Sequence, residues 1–185
     1  MRGTTVLLLG LVSASCLIGC SGDPGKAAPS PSPTPSRTYV IPPEAARADE
    51  TVVTAEPVID GQMRFRVLGY SHGMPSLFGS HAEWNAKGAY ARVRVLIEST
   101  DRTSQKFDAK QQLLTASDGR TFSIDFQAQT IKRQPFELFV GSFVRMEFDL
   151  WYDVPKDAKI TGIRFFADPP LGAIGPSKGV PVPLP

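Results

Sequence analysis

Alternating apolar and polar residues predict β-strands along most of the chain from residue 51 onward. The clearest run is 89–99, in which apolar side chains alternate with charged ones. Residues 62–70 and 143–152 show the same period of two, which is typical of strands with one buried and one solvent-facing side. Shorter strands are predicted at the following positions: 51–54, 111–116, 121–126, 159–167 and 179–184.

Turn residues between these segments favour an all-β domain. Ser117-Asp118-Gly119-Arg120 joins two predicted strands, and Asp-Gly supplies the positive φ angles of a tight hairpin. Val154-Pro155 ends another strand, because proline cannot donate to a strand ladder. About seven strands without a convincing long helix predict an immunoglobulin-like β-sandwich, with a partly open barrel as the alternative.

The N-terminal segment has the parts of an export signal. Arg2 precedes an apolar run at 6–12 that is too short for a membrane-spanning helix. The segment ends in Leu17-Ile18-Gly19-Cys20, which resembles the lipobox of bacterial lipoproteins. This resemblance implies cleavage between Gly19 and Cys20, an S-diacylglyceryl group on Cys20, and acylation of the new amine, for example with palmitate. The alternatives are an ordinary secretory signal with a chance cysteine, and an anchor that is not cleaved.

The lipid on Cys20 would anchor the mature protein in the cell membrane, facing the extracytoplasmic side. Residues 20–50 are rich in Pro, Ser and Ala and hold few large apolar side chains, so they cannot offset the entropy of ordering. We therefore divide the chain into a signal peptide (1–19), a disordered tether (20–50) and a β-sandwich domain (51–185).

Charge and cysteine content exclude several classes of function. Removing residues 1–19 takes away Arg2 and leaves 19 Lys and Arg against 18 Asp and Glu, a balance that argues against nucleic-acid binding. The two cysteines are Cys16, in the leader, and Cys20. The predicted domain is therefore free of thiols, which excludes a disulfide, a zinc–thiolate site and a cysteine nucleophile there.

Three segments carry a resemblance to a known group of bacterial lipoproteins. They are the strand YARVRVLIEST that starts at Tyr90, the hairpin from Leu113 to Phe122, and the turn from Val154 to Ala158. Together they resemble a domain-of-unknown-function family with an immunoglobulin-like fold, structurally akin to a small secreted mycobacterial immunoprotective antigen. The chain departs from the family pattern at 99–102, where an asparagine-rich turn is usual, and at 140–141, where Pro-Gly is usual. The resemblance implies a fold and no catalytic residue.

A Gly-rich segment at 71–88, expected to be a long loop, holds the candidate functional residues. His72, His81 and Glu83 contain metal-ligand atoms, but their spacing matches no standard pattern, and we predict neither a metal site nor a cofactor.

The same segment holds several large apolar side chains, including Met74, Phe78 and Trp84. With His72 and His81 they form a candidate partner-binding loop. The alternative is that the apolar side chains fold back and close one end of the core.

The remaining residues carry no recognised catalytic signature. Nucleophile motifs and phosphate-binding loops are missing from the sequence. Arg92, Arg94 and Arg145 are expected to line up on an exposed sheet face, pairing with acidic residues of neighbouring strands: Glu98, Glu147 and Asp149.

We therefore predict a non-catalytic binding module for an envelope protein or glycan. One alternative is an envelope hydrolase or metal-dependent enzyme that uses the His72/His81 loop. The other is a carrier of a lipid or small hydrophobe, which requires a cavity between the sheets.

Overall fold

A computed structural model describes residues 45–169 and 172–185 of the chain. The leader, the lipobox with Gly19 and Cys20, and most of the predicted tether lie outside the described residues. No helix in the described ranges is both apolar enough and long enough to cross a membrane.

The described residues form eleven strands, one short α-helix and one 3-10 turn. The helix α1 spans Phe126–Ile131 and the 3-10 turn spans Ala109–Gln111. The strands are β1 (Thr51–Val52), β2 (Val58–Asp60), β3 (Met63–Phe78), β4 (Glu83–Ser99), β5 (Gln105–Asp108), β6 (Leu113–Ala116), β7 (Thr121–Phe122), β8 (Glu137–Val140), β9 (Arg145–Val154), β10 (Ile160–Phe165) and β11 (Val180–Pro183).

Two antiparallel sheets make up the sandwich. The first sheet has the order β1-β3-β4-β9, with β2 also paired to β3, and the second has the order β11-β10-β6-β7. Strands β5 and β8 form a separate two-stranded ribbon. The pairing of β4 with β9 runs without a register shift from Ala89 opposite Val154 to Glu98 opposite Arg145. The predicted all-β sandwich is confirmed.

The core lies between the sheets and uses the apolar faces that the alternation predicted. Phe65 of β3 stacks on Phe165 of β10 with ring centroids 4.7 Å apart, which joins the two sheets. The predicted inner faces of β3, β4 and β9 are buried in this core, with these residues: Met63, Phe65, Val67, Ala91, Val93, Val95, Ile97, Phe148, Leu150 and Tyr152.

Several local predictions were wrong. Residues 71–88 form no loop: β3 and β4 continue through them as a hairpin, closed by a turn at 79–82 in which the Gly79 N–H donates to the Ala82 carbonyl. We call residues 71–88 the hairpin arm. The predicted strand at 121–126 ends at Phe122, because the Asp125 carboxylate accepts from the Ala128 N–H and caps α1. Strands β2, β5 and β8 were not predicted.

The outer face of the first sheet is also partly buried, which corrects the expected exposure of Arg92 and Arg94. These residues are only 6% and 3% exposed, respectively. The N-terminal segment 45–50 lies over them, and its Glu50 side chain has no exposed surface. Residues that the sequence analysis assigned to the tether therefore pack on the sheet in this structure.

Candidate functional site

A cleft of about 420 Å³ lies on the outer face of the first sheet, beside α1. We call it the outer cleft. Two carboxylates and two cationic side chains line its walls, and most of the other lining residues are apolar. It is lined by Asp49, Met74, Ser76, Leu77, Phe78, Arg92, Lys132, Gln134, Asp149 and Trp151.

An ion-pair network forms one side of the cleft. The two terminal nitrogens of Arg92 donate to Asp49 at 3.0 and 3.1 Å, and one of them also donates to the Ser71 hydroxyl at 3.1 Å. Arg94 binds both oxygens of Glu50 through Nε and Nη2. Bidentate pairs of this kind fix the planes of both groups, so the network is rigid as well as neutralising.

The network continues from β4 to β9. Arg94 also donates to Glu147 at 3.0 Å, and Arg47 donates to both oxygens of Asp149 at 3.0 and 2.8 Å. The predicted cross-strand partner of Arg145 is present too, since its Nε lies 3.7 Å from Glu98. The segment 45–50 thus bridges two strands that are distant from it in sequence.

Gly69 leaves the space that Glu50 occupies. It sits at a register shift between β3 and β4, and a Cβ placed there would lie 2.2 Å from the Glu50 carboxyl carbon. Any larger residue would displace the carboxylate that neutralises Arg94. The glycine is therefore part of the same arrangement as the buried ion pairs.

The network lowers the pKa of two carboxyl groups. The hydrogen bond from Arg92 holds the pKa of Asp49 below its ordinary value. Burial alone would raise the pKa of Glu50, but the Arg47 backbone N–H and the Arg94 guanidinium outweigh burial, and the pKa is lowered. Both groups are therefore ionised at neutral pH.

An apolar cluster under α1 forms the other side of the cleft. Its buried members are Leu77, Tyr90, Ala128 and Trp151, with Met74 and Ala86 packed against them. Gln129 ties α1 to the sheet: its side chain accepts from the Trp151 N–H at 3.0 Å and donates to the Asp149 carbonyl at 3.2 Å. A buried amide with both ends satisfied fixes the helix above the strand.

Two buried donors on residues of the cleft wall have no acceptor in the part of the chain that the structure describes. Arg92 and Trp151 are direct partners on β4 and β9, and the guanidinium carbon lies 5.7 Å from the indole ring centroid. Within the described ranges, neither Arg92 Nε nor Trp151 Nε1 makes a hydrogen bond, and both atoms are shielded from solvent. Lys132 completes this corner, with its ammonium 5.5 Å from the same ring and bonded to the Phe78 carbonyl at 2.9 Å. Unpaired buried donors cost roughly 1–3 kcal/mol each, so an oxygen acceptor at this corner would be favourable.

The structure separates the five residues of the predicted partner-binding loop. Met74 and Phe78 line the outer cleft, and Phe78 is 68% exposed. Trp84, opposite Leu77 in the hairpin arm, is 40% exposed, and His81 is exposed at the tip. His72 lies against Tyr70 instead, with ring centroids 5.3 Å apart. The arm therefore buries part of its apolar surface in the cluster under α1, while Phe78 and Trp84 stay exposed to solvent.

Among the described residues, His72, His81 and Glu83 belong to no cluster of metal-ligand side chains. Across residues 45–169 and 172–185, no three His, Cys, Asp or Glu side chains form a group able to hold a metal ion. Trp151 and Lys132, which line the cleft, were not among the predicted site residues. Trp151 carried a usable signal, because an aromatic residue on the polar face of β9 indicates that something covers that face.

No protein-family model and no curated protein matches the sequence significantly. Among solved structures, the chain is similar to MPT63, a secreted protein from Mycobacterium tuberculosis, at 10% identity over 60% of this chain and 83% of that chain, with a TM-score of 0.37. It is also similar to an uncharacterized β-sandwich protein from Clostridium difficile 630 at 13% identity over 70% of this chain and 95% of that chain, with a TM-score of 0.39. Matches at this level transfer no functional residue, and membership of the domain-of-unknown-function family stays a prediction.

Proposed function

We propose that this chain is a non-catalytic binding module, anchored by lipid on Cys20 to the extracytoplasmic side of the cell membrane. Its partner is a protein of the cell envelope that docks on the outer cleft and the exposed side of the hairpin arm. The observation that carries this proposal is that Arg92 Nε and Trp151 Nε1, on residues paired across β4 and β9, are both buried and have no acceptor among the described residues.

These two donors suit an oxygen atom from a partner. A backbone carbonyl, a carboxylate or a hydroxyl could accept from either donor and recover its lost hydrogen bond. Met74 lines the same cleft and is only partly buried, and its unbranched side chain is the movable part of the wall that an incoming group would displace.

The aromatic residues of the arm supply the apolar part of the interface. Phe78 is exposed and lines the cleft, and Trp84 is exposed on the neighbouring strand of the arm, opposite Leu77. Exposed aromatic residues beside a pocket of satisfied ion pairs are the usual composition of a protein-binding surface. The ion pairs of Arg92 and Arg94 would hold the adjoining wall of the cleft in place before the partner arrives.

Site-specific photo-cross-linking in the producing cells tests the proposal. The full chain carries p-benzoylphenylalanine in place of Phe78 or, as a matched control, in place of Phe139, which is 75% exposed on β8. We expect a discrete protein adduct from position 78 only, and a weaker adduct when Trp84→Ala is added. Equal adducts at both positions, or none at position 78, would contradict the proposal, and an adduct of glycan alone would favour the glycan alternative.

A further inference from the structure

A second cavity, of about 330 Å³, lies between β3 near Tyr70 and the turn that joins β9 to β10. We call it the end cavity. It shares no lining residue with the outer cleft within the described part of the chain. Its volume is within the range of small-molecule sites, and binding there would not depend on the proposed function.

The end cavity joins an apolar wall to a cationic rim. Val154 and Ile160 are among the apolar residues that line it, and Lys156, Lys159 and His72 line it as well. None of the described residues that line it is acidic. The nearby Asp157 pairs instead with Arg120 at 3.0 Å, and neither lysine forms a salt bridge with a described acidic residue.

Tyr70 also lines the end cavity and carries a buried hydroxyl. Its side chain is 2% exposed, and its hydroxyl makes no hydrogen bond to any described residue. Burial raises the pKa of Tyr70 to about 12, so the hydroxyl keeps its proton at neutral pH. A buried tyrosine hydroxyl usually finds a partner, and here a ligand oxygen would supply it.

We propose that the end cavity binds a small aliphatic carboxylate. The carboxylate pairs with Lys156 and Lys159 on its solvent side and accepts a hydrogen bond from the buried Tyr70 hydroxyl on its inner side. The alkyl chain lies along Val154 and Ile160, which removes its surface from water. Charge and polarity thus select an amphiphile with one anionic end.

Calorimetric titration of the full chain in lipid nanodiscs tests this binding, with empty nanodiscs as the reference for ligand that enters the lipid. The probe is octanoate. Acetate carries the same charge without the chain, octanol carries the chain without the charge, and octylamine carries the opposite charge. We expect a dissociation constant on the order of 0.1 mM for octanoate, which is within the efficiency bound for a ligand of about ten non-hydrogen atoms. Binding of the other three probes should be at least about tenfold weaker, since each lacks one of the two interactions.

Matched variants locate the site. Lys156→Gln combined with Lys159→Gln should weaken octanoate binding at least about tenfold, whereas Lys178→Gln, another exposed lysine, should not change it. Tyr70→Phe should weaken binding severalfold, to an extent set by one charge-assisted hydrogen bond. Tyr152→Phe is its control, because the Tyr152 hydroxyl already donates to the Gln112 carbonyl at 3.3 Å in the core.

Three results would overturn the proposal: no heat from octanoate beyond that of empty nanodiscs, octylamine binding as tightly as octanoate, or full affinity in the double lysine variant. Unchanged affinity in Tyr70→Phe would overturn the part assigned to the hydroxyl. All substituted lysines are on the surface, so loss of the fold does not confuse the result.

Discussion

Replacing Glu50 by Ala should destabilise the domain strongly, although the sequence places this residue before the first strand. Its side chain is fully buried between Arg92 and Arg94, which are themselves 7% and 4% exposed in their side chains. Removing one partner of a buried ion pair leaves an uncompensated charge and costs about 3–5 kcal/mol. Because segment 45–50 can move away and let water reach Arg94, we expect the lower end, about 3 kcal/mol.

Urea unfolding of the full chain, followed by tryptophan fluorescence, measures this change. Trp151 lies beneath Arg92 and reports on the same region. With a denaturant dependence of about 2 kcal/mol per molar urea, a loss of about 3 kcal/mol lowers the midpoint by about 1.5 M. Glu56→Ala is the control, since Glu56 is exposed and makes no salt bridge within the described ranges, and it should change stability by less than about 0.5 kcal/mol.

The pH dependence gives an independent check with a defined sign. The folded-state pKa of Glu50 lies below its ordinary value of 4.5, so its stabilisation is present above that value and is lost as the pH falls through the lowered pKa. The stability difference between the native protein and Glu50→Gln should therefore be largest near pH 7 and shrink below about pH 4.5. If Glu50→Ala behaves like Glu56→Ala at pH 7, segment 45–50 does not pack as described and the reasoning fails.

Three further changes test other parts of the structure. Gly69→Ala should cost about 2 kcal/mol, because its Cβ would lie 2.2 Å from the Glu50 carboxyl carbon, and the cost should shrink in a Glu50→Ala background. Gln129→Leu should lower the free energy of unfolding in urea by about 2–3 kcal/mol, because it leaves without a partner the backbone groups of β9 that the Gln129 amide now binds. The control Gln127→Leu, at an exposed position, should be neutral. Cys20→Ser should shift the protein from the membrane fraction to the medium or leave an unprocessed precursor, and normal retention with normal processing would contradict lipidation.

The sequence predicted the inner faces of the sandwich because burial there follows a local rule. Residues of β3, β4 and β9 alternate with a period of two, and the apolar set is the one that packs between the sheets. Such a face can be predicted from residues that are close together in the sequence. The correct prediction of the fold class follows from these three long strands.

The hairpin arm was missed because its sequence breaks that rule. Gly73 and Pro75 interrupt the alternation, and the pairing of β3 with β4 shifts register on both sides of Met74. Proline removes a ladder donor and glycine removes a side chain from the pattern, so the segment resembles a loop although the strands continue. The six-residue helix α1 was missed for a related reason, since its length gives too few periodic positions.

The outer cleft could not be predicted, because its walls join residues far apart in sequence. The Arg92–Asp49 contact spans 43 residues and the Arg47–Asp149 contact spans 102 residues. Alternation shows which way a side chain points and not what lies above it. A charged residue on an outward face therefore looks solvated until a covering segment is known.

Arg92 has two roles that limit how the cleft can be tested. Its terminal nitrogens hold segment 45–50 on the sheet, and its Nε is one of the two buried donors that we assign to the partner. Arg92→Ala would remove both at once, so a loss of binding would not distinguish a missing contact from a displaced segment. Phe78 and Trp84 are exposed and take no part in the ion-pair network. Substitutions at these two positions should therefore change the surface without disturbing the fold. The binding function therefore has to be tested at the arm, and the architecture of the cleft at Glu50.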